Sequence, residues 1–153
     1  MRTLALVLAL TAPVRAETLV RIWKRDITSE EVRRGHSAPL KYLSMTIEEI
    51  FAERYLRENQ LEPTADQLNA LRRKFGAGGS GQTMEWFVQR IARSFALHRS
   101  LWQKHGGRVV TSAFGPCMAN DAFITELHAL EKAGALRFSG GANLRHDLFR
   151  YLA

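Results

Sequence analysis

The stretch Leu40–Asn59, LKYLSMTIEEIFAERYLREN, decides the fold class of this chain. Its apolar side chains recur every three or four residues, a spacing that places them on one face of an α-helix; they are Leu43, Ile47, Ile50, Phe51 and Tyr55. Charged and polar residues fill most of the other positions. The stretch therefore predicts a long amphipathic helix that packs its apolar face onto a core.

A second helix is predicted after Pro63, where a capping signature begins. The Thr64 hydroxyl can accept a hydrogen bond from the backbone N–H of Gln67, and the Gln67 side chain can reach back to the Thr64 N–H. The apolar positions of this helix are Leu68, Leu71 and Phe75. Glycine-rich residues 76–81 then end it, because glycine favours helix C-terminal caps and flexible linkage.

A third helix is predicted to begin at Thr83 and to end at Gly106-Gly107. Its apolar residues share a face; they are Met84, Phe87, Val88, Ile91, Phe95 and Trp102. Helical periodicity most often means burial, so this face is expected to pack inward, whereas Trp86 falls off the stripe and is expected to be exposed. An exposed apolar groove would instead suit unfolded or extended chains, which makes Trp86 and Trp102 candidate peptide-binding residues.

Short β-prone pieces flank the helices. Val20 and Ile22 form an extended piece, Lys24-Arg25-Asp26 turns it, and Thr28 or Ser29 begins a helix. After Gly107 the predicted order is strand, helix, strand and final helix, over residues 108–114, 118–132, 135–138 and 143–152. Such an order usually makes a right-handed crossover between parallel strands. The predicted fold class is α+β and mainly α-helical, with a helical part at 17–106 and a strand-helix-strand part at 107–153.

The first sixteen residues are typical of a cleavable secretory signal. Met1-Arg2 is positively charged, residues 4–10 form an apolar run, and Val14 and Ala16 supply small residues where a signal peptidase reads. The apolar run is about half the roughly 20 residues needed to span a bilayer. Cleavage near Ala16/Glu17 is expected, which leaves residues 17–153 as a single mature domain in the periplasm or outside the cell.

The chain is basic, with a formal net charge of +7. Removal of residues 1–16 takes away Arg2 and Arg15 and no acid, so the mature chain keeps a charge of +5. In an exported protein this excess favours contact with acidic protein segments or with an anionic membrane surface, and no nucleic-acid partner is expected. The basic residues are spread among acids, which is typical of solvated helix faces.

The glycine-rich segment 76–81 has the glycine spacing of a phosphate-binding loop and leads into a helix. Gln82 stands where that motif needs a lysine, and a helix rather than a strand is predicted before it. These departures favour a flexible hinge between helices over a nucleotide site.

Cys117 is the single cysteine of the chain and follows Gly115-Pro116. It is predicted to lie in the first turn of a helix, where the helix dipole lowers a thiol pKa and exposes a nucleophile. No second cysteine makes a Cys-x-x-Cys motif. In an oxidising compartment the thiol is buried and inert, paired between chains, or free and reactive.

The histidines and glutamates form no pattern typical of a metal or acid–base site. His98 and His105 are seven residues apart on one predicted helix, too far to hold one metal directly. Glu48-Glu49 interleave with Arg54 and Arg57, which favours a salt-bridged surface. The histidines are expected at the surface or at helix ends, and no metal or other cofactor is predicted.

The order of the N-terminal features resembles a known family. These features are a signal, a strand ending in Val20-Arg-Ile22, the segment Ile27-Thr-Ser-Glu-Glu-Val32, the helix from Met45 to Leu56 and the segment Leu61-Glu-Pro-Thr-Ala-Asp-Gln-Leu68. In this order they are similar to the N-terminal helical chaperone domain of SurA-like periplasmic foldases. The likeness covers about residues 18–105. Lys24-Arg25-Asp26 replaces the family's usual Asn-Gly turn, and no parvulin-like domain is found, so the resemblance implies client holding without prolyl isomerase activity.

Three functions remain open on these residues. The first is an exported chaperone-like or envelope-assembly protein that binds unfolded or extended polypeptide, as the signal and the resemblance imply. The second is a thiol-dependent enzyme or redox protein that uses Cys117. The third is a structural accessory subunit of an envelope complex, whose apolar surface is covered by an obligate partner or by a second copy. The oligomeric state is left open.

Overall fold

The structure of the chain is a computed structural model that describes residues 16–34, 38–75, 82–112 and 115–153, with all their side chains except those of residues 34, 82, 112 and 115–117. The elements are β1 Thr18–Ile22, β2 Arg25–Thr28, α1 Ser29–Arg34, α2 Pro39–Glu58, α3 Ala65–Phe75, α4 Gln82–His105, β3 Val110–Ser112, β4 Gly115–Met118, α5 Asn120–Lys132, β5 Leu136–Phe138 and α6 Gly141–Leu152. The mainly helical α+β fold is therefore confirmed.

A small antiparallel sheet joins the two ends of the chain. Its strand order is β2-β1-β5, and β1 is the central strand. Val20, Ile22 and Ile27 are fully buried, as expected for alternate residues on the covered face of a sheet. Arg25 pairs with Ile22, so the turn lies at Trp23-Lys24 and not over Lys24–Asp26 as predicted.

The predicted crossover between parallel strands is wrong. β5 pairs with β1 in antiparallel orientation, and β1 is also antiparallel to β2 on its other side. β3 instead forms an antiparallel hairpin with β4, residues 115–118, of which Cys117 and Met118 had been predicted to be helical. Strand propensity shows that a segment is extended but does not identify its partner, and here the open edge of β1 takes β5.

Helix α2 holds the centre of the core. Leu43 and Ile47 are buried on its inner face, as predicted, Leu56 is buried as well, and α2 packs against α4 and α6. Phe51 stacks on Trp23 at 6.0 Å and on Tyr55 at 5.4 Å between ring centroids. Its edge contacts Phe123 of α5 at 5.7 Å. One hydrophobic cluster therefore draws residues from both predicted parts of the chain.

Helix α3 lies at the periphery, against α4. The predicted capping box is confirmed, because the Thr64 N–H donates to Gln67 Oε1 at 2.9 Å and the Gln67 N–H donates to Thr64 Oγ1 at 3.3 Å. None of the residues of α3 is buried. A two-pronged ion pair from Arg72 to Glu85, at 2.6 and 2.9 Å, fixes α3 to the first turns of α4.

Candidate binding groove along helix α4

Helix α4 has one covered side and one partly open side. Val88, Leu97 and Leu101 are fully buried against the core. Four large apolar side chains keep substantial exposure: Trp86 (51%), Phe87 (39%), Phe95 (37%) and Trp102 (48%). The exposure of Trp86 confirms its prediction, whereas the inward packing expected of the other three is incomplete.

Two neighbouring clefts form a groove on the open side of α4. The first, of about 280 Å³, lies between α3 and α4 and is lined by Gln67, Ala70, Leu71, Ala92, Phe95, Ala96 and Arg99. The second, of about 330 Å³, continues along α4 and is lined by Phe95, His98, Arg99, Trp102, Val109 and Ala119. Because Phe95 and Arg99 line both clefts, we treat the two as one surface and name it the α4 groove.

The α4 groove is apolar with a single charged group. Among the described residues that line its clefts, Arg99 is the one arginine or lysine, and there is no aspartate or glutamate. Arg99 is exposed and makes no ion pair with any described part of the chain. It stands four residues after Phe95 and three before Trp102, so the three side chains are neighbours on one helix face.

His98 lies beneath the groove and is 1% exposed, so the prediction of a surface or helix-end histidine is wrong for this residue. Its Nδ1 accepts a hydrogen bond from the backbone N–H of Ala119 at 3.2 Å. A neutral imidazole that accepts at Nδ1 carries its proton on Nε2. The Nε2 atom lies 3.5 Å from Glu48 Oε1, which is too long for a well-formed hydrogen bond.

Glu48 on α2 lies beside His98 and is mostly covered, because its side chain is 16% exposed and does not lie at the surface as predicted. Ser94 Oγ donates to Glu48 Oε1 at 2.6 Å. Burial raises the pKa of Glu48, but the neighbouring His98 ring, the hydrogen bond from the Ser94 hydroxyl and the charge of Arg90 together bring this pKa below its ordinary value. The carboxylate therefore stays ionised between α2 and α4.

The Glu48, Ser94 and His98 side chains do not form a nucleophilic triad. In such a triad the serine hydroxyl bonds the histidine, which removes its proton. Here Ser94 donates directly to the carboxylate, and His98 Nε2 approaches the same oxygen. The cluster is suited to joining α2 to α4 through one shared acceptor.

The two candidate tryptophans do not share a surface. Sixteen residues separate them on α4, which corresponds to about 160° around the helix axis and about 24 Å along it. Trp86 lines a separate cleft of about 90 Å³ together with Met45, Glu48, Glu49, Ala52, Gln89, Arg90, Arg93 and Ser94. The Arg90 guanidinium covers its ring at 5.2 Å from the centroid. Only Trp102 belongs to the α4 groove.

Cys117 lies in strand β4 and not in the first turn of a helix, because α5 begins three residues later at Asn120. The proposed lowering of its thiol pKa by a helix dipole therefore loses its structural basis. Its side chain lies outside the description, and so does the whole glycine segment 76–81. Within residues that the structure does describe, no cluster of three or more histidine, cysteine or carboxylate side chains suits a metal ion.

Comparisons with protein-family models, with curated proteins and with solved structures found no match to this chain. The resemblance to SurA-like domains therefore stays a prediction. None of the described helices is long and apolar enough to cross a membrane. The α4 groove and the buried cluster beneath it thus carry the functional argument by themselves.

Proposed function

We infer that this chain is an exported binding protein, with chaperone-like or envelope-assembly activity, that holds unfolded or extended polypeptide in the α4 groove. The observation that carries this proposal is the pair of adjoining apolar clefts around Phe95 and Trp102. Grooves of this kind recognise peptides through a few apolar side chains seated in pockets. The predicted signal and the SurA-like resemblance motivate the compartment and the class of client, without prolyl isomerase activity.

The size of the groove points to weak and reversible binding. Full burial of one leucine-sized side chain contributes about 1.5–3 kcal/mol, so two clefts supply on the order of 3–6 kcal/mol. The loss of translational and rotational freedom on association offsets much of this gain. A dissociation constant from roughly tens of micromolar to the millimolar range is expected, which suits a protein that must hold a client and then release it.

The test is peptide binding by the purified protein, measured by fluorescence anisotropy with a labelled leucine- and valine-rich peptide. Suppression of the aggregation of an unfolded envelope protein is measured in parallel. The Trp102→Ala change is expected to weaken peptide binding at least about tenfold, since a buried interface tryptophan commonly contributes 2 kcal/mol or more. Trp86→Ala is the matched control, because Trp86 is similarly exposed but lies outside the groove. The Trp86→Ala protein should bind the peptide as tightly as wild type does.

Two results would count against this proposal. If the wild-type protein neither binds the peptide nor reduces aggregation, the α4 groove does not hold polypeptide. If Trp86→Ala and Trp102→Ala weaken binding equally, the binding surface lies elsewhere. A measurement of the mass in solution adds a distinct outcome: a stable dimer that buries Trp102 would favour the accessory-subunit alternative over a free client-binding surface.

A further inference from the structure

We propose that the α4 groove selects polypeptide segments in which an acidic side chain lies between apolar ones, and that Arg99 is the residue that binds the acidic side chain. This inference rests on the proposed peptide-binding function and names its client class. The client is thus an apolar segment interrupted by an aspartate or glutamate.

The position of Arg99 supports this assignment. It lines both clefts, so a carboxylate paired with it would lie between the two apolar side chains that the clefts accept. Phe95 and Trp102 flank it one helical turn away on either side. A pair formed there would be partly shielded from water by aromatic rings, and shielding strengthens an ion pair relative to one at an open surface.

Two other arginines of α3 and α4 each bind a carboxylate, whereas Arg99 binds none among the described residues. Arg93, one and a half turns earlier on α4, holds Glu62 with two hydrogen bonds at 2.9 and 3.1 Å. Arg72 of α3 holds Glu85 in the same way. The planar guanidinium is suited to binding both oxygens of a carboxylate. Since no described acid reaches Arg99, an acid of the client is its natural partner.

A peptide fits this surface better than a lipid headgroup does. Attraction to an anionic bilayer depends on several cations near one membrane surface, each adding a modest increment. The described lining of the α4 groove offers one cation, which lies where two clefts of about 280 and 330 Å³ meet. Such concavity accepts individual side chains. The arrangement therefore favours the acid-bearing peptide as occupant.

The experiment uses three fluorescent peptides of identical apolar composition that carry Asp, Asn or Lys at one central position. Wild-type protein is expected to bind the Asp peptide about tenfold more tightly than the Lys peptide, with the Asn peptide between them. Arg99→Gln should remove this preference, and Arg99→Glu should reverse it. Arg57→Gln is the matched control, because Arg57 is an exposed cation on α2 outside the groove and should keep the wild-type preference.

The outcomes separate this inference from the function on which it rests. If all three peptides bind wild type equally and Trp102→Ala weakens all of them, peptide binding stands and the acid preference is wrong. If no peptide binds, both fail. Anionic phospholipid vesicles that bind wild type and not Arg99→Gln, without peptide binding, would also overturn both and identify a lipid surface. Thermal unfolding of each variant should match wild type, because Arg99 is exposed and makes no ion pair with the described residues.

Discussion

The two long helices α2 and α4 carry similar apolar patterns but meet different surroundings. In α2 most of the inner face is covered, and Leu43, Ile47 and Phe51 are buried. In α4 the residues of one predicted face are split, since Val88 is buried whereas Phe95 and Trp102 stay partly exposed. The comparison teaches that periodicity identifies an apolar face but not whether a neighbouring element covers it.

The difference follows from what packs on each helix. Helices α1, α4 and α6 all contact α2, and the Trp23 ring adds cover from the end of β1. Helix α3 contacts α4 as well, but its residues line the first cleft and none of them lines the second cleft, where Trp102 lies. The α4 groove therefore opens where this cover ends.

The largest expected difference between α2 and α4 is in the stability lost when one aromatic ring on each helix is truncated. Phe51→Ala is expected to lower the free energy of unfolding by about 3–5 kcal/mol, because it removes a buried ring with three aromatic neighbours and leaves a cavity. Trp102→Ala should lower it by less than about 1 kcal/mol, as is usual for surface substitutions. Urea unfolding followed by circular dichroism measures both. Equal losses would show that Trp102 is a core residue after all.

A smaller loss of stability is expected when the contact of Glu48 on α2 with Ser94 and His98 on α4 is altered. Glu48→Gln keeps the shape of the side chain and removes its charge, so it should lower the free energy of unfolding at pH 7 by about 1–2 kcal/mol, because the Ser94 hydroxyl then donates to a neutral acceptor instead of a charged one. Glu49→Gln, at the next position and exposed, is the matched control and should change stability little.

The stability lost in Glu48→Gln should become smaller as the pH falls. The folded-state pKa of Glu48 is below the ordinary 4.5, so folding favours the ionised carboxylate. Its stabilisation is present above the unfolded-state pKa and is lost as the pH falls through the lower folded-state pKa. Urea unfolding between pH 7 and pH 3 should show the gap between wild type and Glu48→Gln narrowing below 4.5. A gap that widens on acidification would contradict this account.

The smallest expected effect concerns α3, the helix that partly covers α4. Thr64→Ala removes one half of the capping box of α3, which should cost about 0.5–1 kcal/mol. Since α3 has no buried residue, amide hydrogen exchange should accelerate in α3 before it changes in α2. Thr64→Ser, which keeps the hydroxyl, should restore the protection of α3. Equal acceleration in α2 would show that α3 unfolds only with the whole domain.

The helical part of this fold could be predicted because its signals are local. The predicted start and end of α2 at Leu40 and Asn59 differ by one residue each from the observed helix. The Thr64–Gln67 capping box is confirmed atom by atom. The pairing of β5 with β1 could not be predicted, because it joins residues more than a hundred positions apart and depends on which strand edge stays open.

The candidate site was only partly visible in the sequence. Trp102 was a candidate together with Trp86, although their spacing of sixteen residues already places them on different sides of the helix. Glu48 was missed because it is charged, although its helical position lies between those of Ala52 and Tyr55 on the inner arc. Arg99 was missed because a single arginine has no local pattern beyond its aromatic neighbours.

The central place of β1 in the sheet has a consequence for the order in which the chain folds. The hairpin of β1 and β2 is local and can form as soon as Thr28 has been synthesised, but the other edge of β1 stays unpaired until Phe138 has been made. Contacts of such long sequence separation slow folding. Throughout synthesis the nascent protein therefore carries an open strand edge, and its own last segments act as the cap that protects it from aggregation.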